Sequence, residues 1–158
     1  MANVTLFDDE SLRIDSLCNV SKDFIISDFL YGHCHIFALA LSLYFGDKAK
    51  CHCIIDYDEK KPCLAHAYVS IDGNFVDARG VITSFDIDQY TDNLMDFEYY
   101  DIEQKDLIEN AKDDSWGFAS DELISDILIF IDKNKEIYSG QKIDDDILNK
   151  YIQILLKF

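Results

Sequence analysis

CHIFALALSLYF, residues 34–45, is the stretch around which the rest of the chain can be interpreted. It is rich in Ala and Leu and lies between Gly32 and Gly46, so it predicts a buried helix that ends at Gly46. Cys34 lies in the predicted first turn, where the helix dipole and free backbone N–H groups favour a thiolate. The stretch therefore predicts a nucleophilic cysteine at the start of a buried helix.

The residues that follow have the alternating pattern of strands, and Asp72-Gly73-Asn74 predicts a tight turn within them. The predicted strands are CHCIIDYD (51–58), LAHAYVSI (64–71), FVDA (75–78) and, further along, Phe97–Ile102. Strands joined by so short a turn pair in opposite directions. An antiparallel sheet beside the helix is expected, which makes the fold class α+β.

Helical spacing of apolar residues and acidic first turns predict further helices on both sides of this region. Two short ones are predicted before residue 30, with Leu12, Leu17, Phe24, Ile25 and Phe29 as apolar positions, and three later ones over Asp106–Lys112, Asp121–Asn134 and Asp144–Leu156. With 158 residues, six Gly and one Pro, the chain has no linker-like stretch. We expect one domain over 1–158, with its motifs at 31–80 and an acidic helical part at 103–158.

Histidine and cysteine concentrate in one window: all four histidines and four of the five cysteines lie between His33 and His66. A thiolate nucleophile needs an imidazole, and the imidazole needs a third group that orients it. His66 lies on one predicted strand and Asp77 on the strand paired to it, so the two can face each other across the hairpin. Cys34, His66 and Asp77 are therefore the candidate catalytic residues.

An activated thiolate at Cys34 has a consequence for labelling. Iodoacetamide should modify it faster than the other four cysteines, which are Cys18, Cys51, Cys53 and Cys63.

These residues resemble a known family. YGHCHIFA, residues 31–38, is similar to the Tyr-Gly-Gln-Cys-Trp-Val-Phe-Ala signature of transglutaminases. His66-Ala-Tyr-Val, followed by the segment 72–77, resembles that family's His-x-Trp-Val-Glu and Gly-x-Trp-x-x-x-Asp-Pro patterns in the same order. The resemblance implies a papain-like, transglutaminase-like fold with a Cys-His-Asp triad of Cys34, His66 and Asp77.

The resemblance also implies a reaction. The thiol attacks an amide bond of a protein or peptide, and the resulting thioester is passed to water or an amine, as in a protease, a deamidase or an acyltransferase. Two positions depart from the pattern: Ala78 replaces the usual Pro, and Asp28 occupies the place where papain-type enzymes have an oxyanion-hole Gln. Calcium dependence is not carried over, and no cofactor is implied. His33 and His35, beside the nucleophile, are expected to have packing or surface roles.

A metal site is the alternative chemistry for this window. Its candidate ligands are His33, Cys34, His35, Cys51, His52, Cys53, Cys63 and His66, but they occur at spacings of one and two rather than in the pairs typical of structural zinc sites. Strand alternation places Cys51 and Cys53 on one face and His52 on the other, which predicts core packing for the two cysteines. We therefore expect no metal. Trp116 is predicted to fill the core.

Charge limits the choice of partners. Acidic residues outnumber basic ones 31 to 14, and a formal charge of −17 opposes direct binding of nucleic acid.

The longest nearly apolar run, Ile36–Phe45, is too short to cross a membrane. The opening MANVTLFDDE lacks the features of a secretion signal, and five cysteines fit reduced thiols, so we expect a cytoplasmic protein.

Two functions follow. One is a thiol-dependent enzyme with a protein or peptide substrate, for which the acidic charge of the chain favours a basic protein. The alternative is a non-catalytic acidic interaction protein, an inhibitor or nucleic-acid mimic on a papain-like scaffold.

Overall fold

A computed structural model describes residues 29–30, 33–58, 60–112 and 120–140 of the chain. Several sequence-based predictions lie outside these residues: the helices before Phe29, the helix over Asp144–Leu156, and the roles of Cys18, Asp28 and Trp116.

The described residues form an α+β fold in which helices pack on a five-stranded antiparallel sheet, as predicted. In chain order the elements are α1 (Cys34–Phe45), β1 (Ala49–Asp56), β2 (Cys63–Ile71), β3 (Asn74–Asp77), β4 (Gly80–Ile82), α2 (Ser84–Asp88), β5 (Phe97–Ile102), α3 (Gln104–Lys112), α4 (Asp121–Lys133) and α5 (Lys135–Tyr138). The strand order across the sheet is β4-β3-β2-β1-β5. No helix within the described ranges has the length and apolar character needed to cross a membrane.

Helix α1 is the centre of the core and has the predicted bounds, ending at Gly46 with φ of 61°. Its residues from Cys34 to Ser42 are all buried, because β2, α3 and α4 pack around it. Phe37 contacts the ring of Tyr138 at a centroid distance of 5.3 Å and that of Phe130 at 6.5 Å. This aromatic packing holds α1 against α4 and α5.

The predicted hairpin is present. Asp72 and Gly73 connect β2 to β3 and both have positive φ, 52° and 84°, which is the conformation required by a two-residue turn that matches the twist of its strands. Strand β5 also has its predicted bounds. The short elements β4, α2 and α5 were not predicted, because three to five residues are too few to give a periodic pattern.

The two faces of the sheet have different roles. Ala67, Val69 and Ile71 of β2 lie on the inner face and join the core formed with α1. The alternate residues, His66 and Tyr68, point to the opposite side, which we call the outer face. Helix α2 covers part of the outer face through a small apolar cluster that contains Tyr68, Ile54, Ile82 and Ile87.

The same alternation confirms the prediction for β1. Cys51 and Cys53 are buried in the core with α1, whereas His52 lies on the outer face beside Ser70.

Candidate active site

Cys34 is the first residue of α1, and its side chain contacts β2 at Ala67. Its Sγ accepts a hydrogen bond from the backbone N–H of Ala67 at 3.3 Å. This N–H is available because β3 pairs with β2 only from Val69 to Ile71. The sulfur therefore lies against the peptide bond that joins His66 to Ala67. Cys34 is only 4% exposed.

His66 and Asp77 are brought together as the hairpin predicted. Nε2 of His66 lies 2.9 Å from Oδ2 of Asp77. His66 is fully buried and Asp77 is 3% exposed. The pair thus lies beneath the outer face of the sheet, shielded from water.

Arg79 completes the charge balance of this pair, and it was not among the residues predicted from the sequence. Its guanidinium donates to both oxygens of Asp77, from Nε to Oδ1 at 3.2 Å and from an Nη atom to Oδ2 at 2.7 Å. The backbone N–H of Arg79 also donates to Oδ1 at 2.8 Å. The Asp-x-Arg spacing in the turn between β3 and β4 was the available signal.

These contacts determine the charge of Asp77. Burial by itself raises the pKa of this carboxyl, but the Arg79 charge and the hydrogen bonds from His66 and Arg79 outweigh burial and hold the pKa well below its usual range. Asp77 is therefore a carboxylate paired with a buried, permanently charged guanidinium.

The carboxylate in turn determines which nitrogen of His66 carries the proton. Because ionised Asp77 only accepts hydrogen bonds, Nε2 carries the hydrogen and Nδ1 carries the lone pair. Within the described part of the chain, Nδ1 is buried without any hydrogen-bond partner. Burial lowers the pKa of His66, the bond to Asp77 opposes this, and the Arg79 charge adds to it. The imidazole is thus neutral, and the lone pair of Nδ1 accepts no hydrogen bond from the described residues.

The thiol differs from the sequence-based prediction. Burial raises the pKa of Cys34 to about 12, although the N–H groups of Ala67 and His35 act in the opposite direction. Cys34 also makes no hydrogen bond to Nδ1 of His66. The prediction of a lowered thiol pKa was wrong, because exclusion of water outweighs the helix N-terminus at this site. The thiol of Cys34 and the imidazole of His66 are thus both neutral at rest.

Two tyrosines fix the His66 ring from the outer face. The ring of Tyr90 stacks on it with centroids 3.8 Å apart and planes within 5°, and Tyr68 stacks at 5.9 Å. The guanidinium of Arg79 lies 5.7 Å from the centroid of Tyr90, within the range of a cation–π contact. Tyr90 is 24 positions from His66, and no sequence pattern pointed to it.

The other histidines and cysteines of the sequence window are dispersed. His33 is exposed just before α1 and His35 is buried within it. Cys63 is exposed at the start of β2. Across the described ranges, no three His, Cys, Asp or Glu side chains form a group that could hold a metal ion.

Comparison of the chain with protein-family models, with curated proteins and with solved structures finds no match.

Proposed function

We propose that the chain is a thiol-dependent enzyme that attacks amide bonds of a protein or peptide through a Cys34 thioester, on a papain-like, transglutaminase-like core. One observation carries this proposal: the sulfur at the start of α1 lies against the peptide bond that joins His66 to Ala67. The buried ring of His66 is hydrogen-bonded to Asp77 through Nε2, and its Nδ1 has no partner among the described residues. A thiol and a base that is oriented by a carboxylate are the groups that nucleophilic catalysis requires.

In the proposed reaction, Nδ1 of His66 accepts the thiol proton as the sulfur bonds to the amide carbonyl carbon. The carbon–nitrogen bond then breaks, and the departing nitrogen takes the proton from the imidazolium. This leaves a thioester on Cys34. Water or an amine attacks the thioester, gives its proton to His66, and releases the acyl group as the sulfur regains a proton.

Asp77 and Arg79 have separate positioning roles in this scheme. The carboxylate orients His66 and stabilises the transient imidazolium, while Arg79 keeps the carboxylate ionised. Because Cys34 is only 4% exposed, the scheme also requires the residues that cover the sulfur to move when substrate binds. We place this activity in the cytoplasm, since the four described cysteines are free thiols.

The test is to trap the thioester with hydroxylamine, which converts an acyl-enzyme into a hydroxamate and restores the thiol. The protein is incubated with a glutamine- and asparagine-containing peptide library, and hydroxamates and Cys34 adducts are detected by mass spectrometry. Wild type should form both. Cys34→Ala should form neither, while the matched control Cys53→Ala, which removes another buried core thiol, should keep the activity. Equal yields from Cys34→Ala and wild type would overturn the proposal.

The burial of the thiol supports a second candidate function. A cysteine that is 4% exposed, with its pKa raised to about 12 by burial, is also expected in a scaffold that has no catalytic role. In this case the chain is an acidic interaction protein whose partner is a basic protein. The sequence has thirteen Asp and Glu in residues 86–122, against Lys105 and Lys112.

Two sets of variants separate these functions. For the interaction protein, Cys34→Ala leaves partner capture unchanged, and replacement of the exposed acidic residues of 86–110 by Asn or Gln abolishes it. For the enzyme, Cys34→Ala abolishes hydroxamate formation whatever the effect of the acidic replacements.

A further inference from the structure

A pocket of about 370 Å³ lies on the outer face of the sheet, between β1, β2 and β5 on one side and α2 on the other. Its aromatic and charged lining includes His52, Tyr68, Phe75, Asp88, Tyr99 and Asp101. Its volume is at the small end of the range for ligand sites, which suits a single long side chain.

Aromatic rings form the walls. Tyr68 and Phe75 meet edge to face with centroids 5.4 Å apart, and the ring of His52 lies 5.3 Å from Tyr68. Tyr99 is 48% exposed at the rim. The faces of such rings carry negative charge and attract cations.

Two carboxylates, Asp88 and Asp101, reinforce this preference, and no lysine or arginine among the described residues lines the pocket. Asp101 is held in place through His52, whose Nδ1 lies 2.8 Å from its Oδ1. The other ring nitrogen, Nε2, lies 2.8 Å from Oγ of Ser70. This chain of hydrogen bonds runs across three strands and gives Asp101 a defined orientation. The formal charge of −17 on the chain is also negative and adds to the attraction of a cation.

The pocket is adjacent to the candidate active site. Tyr68, which lines the pocket, also stacks against His66 with the ring planes within 17°. A side chain bound in the pocket is therefore separated from the proposed base by one aromatic ring.

We propose that this pocket binds the basic side chain, arginine or lysine, of a peptide. Its role as the specificity subsite for substrates of Cys34 rests on the proposed function, whereas binding of the side chain does not.

The test is calorimetric titration with N-acetyl-arginine amide and, as a matched neutral ligand, N-acetyl-citrulline amide. The arginine compound should bind at least about tenfold more tightly than the citrulline compound. The lysine analogue should also bind more tightly than citrulline. Equal affinity for the charged and neutral ligands, or no binding of the arginine compound at about 10 mM, would overturn the proposal.

Variants locate the binding. Asp101→Asn and Tyr99→Leu should each weaken arginine binding at least about fivefold. Asp126→Asn, the control, makes the same charge change on α4, beyond the inner face, and should leave affinity within about twofold. If the control weakens binding as much as Asp101→Asn, the ligand is responding to overall charge and the pocket is not its site.

A titration of the Cys34→Ala protein separates this inference from the proposed function. Arginine binding by the variant, together with no hydroxamate from wild type, supports the pocket and contradicts the enzyme. Hydroxamate formation with equal yields from basic and neutral peptides, and no arginine binding, supports the enzyme and contradicts the pocket.

Discussion

At the scale of single residues, the candidate site is a charge-balanced group of His66, Asp77 and Arg79. The carboxylate is paired with the guanidinium at 2.7 Å and with the imidazole at 2.9 Å. Because Arg79 already balances the charge of Asp77, His66 has no need to be protonated in the resting protein. This leaves the imidazole available as a base.

Replacement of Arg79 tests this balance. Arg79→Met leaves the buried carboxylate of Asp77 without its cation, so we expect the free energy of unfolding to fall by about 3 kcal/mol or more. The pKa of His66 should rise, since the Arg79 charge now lowers it. Urea denaturation and NMR titration of His66 measure the two effects.

Lys105→Met is the matched control for Arg79→Met. Lys105 pairs with Glu103 at 3.3 Å on the exposed surface, where an ion pair contributes less than about 1 kcal/mol. Equal losses in the free energy of unfolding would show that the buried ion pair contributes no more to stability than the exposed one.

The pH dependence of stability tests the state of His66. Its folded pKa lies below the ordinary value of 6.5, so below pH 6.5 the unfolded chain gains a proton that the folded protein does not. Stability therefore falls as the pH drops from 6.5, by up to about 1.4 kcal/mol per pH unit. The depressed pKa of Asp77 acts in the same direction, but only below its ordinary value of 3.8.

We expect His66→Gln to reduce the loss of stability between pH 7 and pH 5, measured by urea denaturation at each pH. The control is His33→Gln at an exposed histidine, which should keep the wild-type dependence. An unchanged dependence in His66→Gln would mean that folding does not lower the pKa of this ring.

At the scale of elements, the turn between β3 and β4 positions the charged group. Asp77 ends β3, Arg79 lies in the turn, and Gly80 starts β4 with φ of 100°. Helix α5 braces this turn: Tyr138 donates a hydrogen bond from its hydroxyl to the carbonyl of Ala78 at 2.7 Å. A Cβ at Gly80 would lie 2.6 Å from Cγ2 of Ile137.

We expect Gly80→Ala to destabilise the protein by about 3 kcal/mol, because backbone strain and overpacking against α5 add together. Gly73→Ala is the control. Gly73 also has positive φ, but a Cβ at this position would have nothing within 4 Å, so only the strain of about 1 to 2 kcal/mol applies. Thermal or urea denaturation compares the two. Equal losses would show that α5 does not pack closely on this turn.

At the scale of the whole molecule, accessibility decides which thiol reacts. Cys34, Cys51 and Cys53 are buried by elements distant from them in the sequence, whereas Cys63 is exposed. Burial raises the pKa of Cys34 to about 12 and that of Cys53 to about 11. Exposure therefore favours reaction at Cys63, while burial and a raised pKa slow reaction at Cys34 and Cys53.

We expect iodoacetamide at pH 7 to modify Cys63 at least about tenfold faster than Cys34, Cys51 or Cys53 in the folded protein. Peptide mapping by mass spectrometry at successive times gives the four rates. In urea the rates should converge, which controls for intrinsic differences between the thiols. Faster labelling of Cys34 than of Cys63 in the folded protein would contradict this expectation and support the sequence-based prediction of an activated thiolate at Cys34.

The sequence by itself determined α1, the β2–β3 hairpin and the meeting of His66 with Asp77. Each depends on local signals: an apolar Ala- and Leu-rich run before Gly46, the turn residues Asp72 and Gly73, and strand alternation. Only the tertiary structure decided the protonation of the site and the stacking of Tyr90 on His66. The physical reason is that a pKa depends on how completely water is excluded by the surrounding elements, and this exclusion is not encoded in the spacing of neighbouring residues.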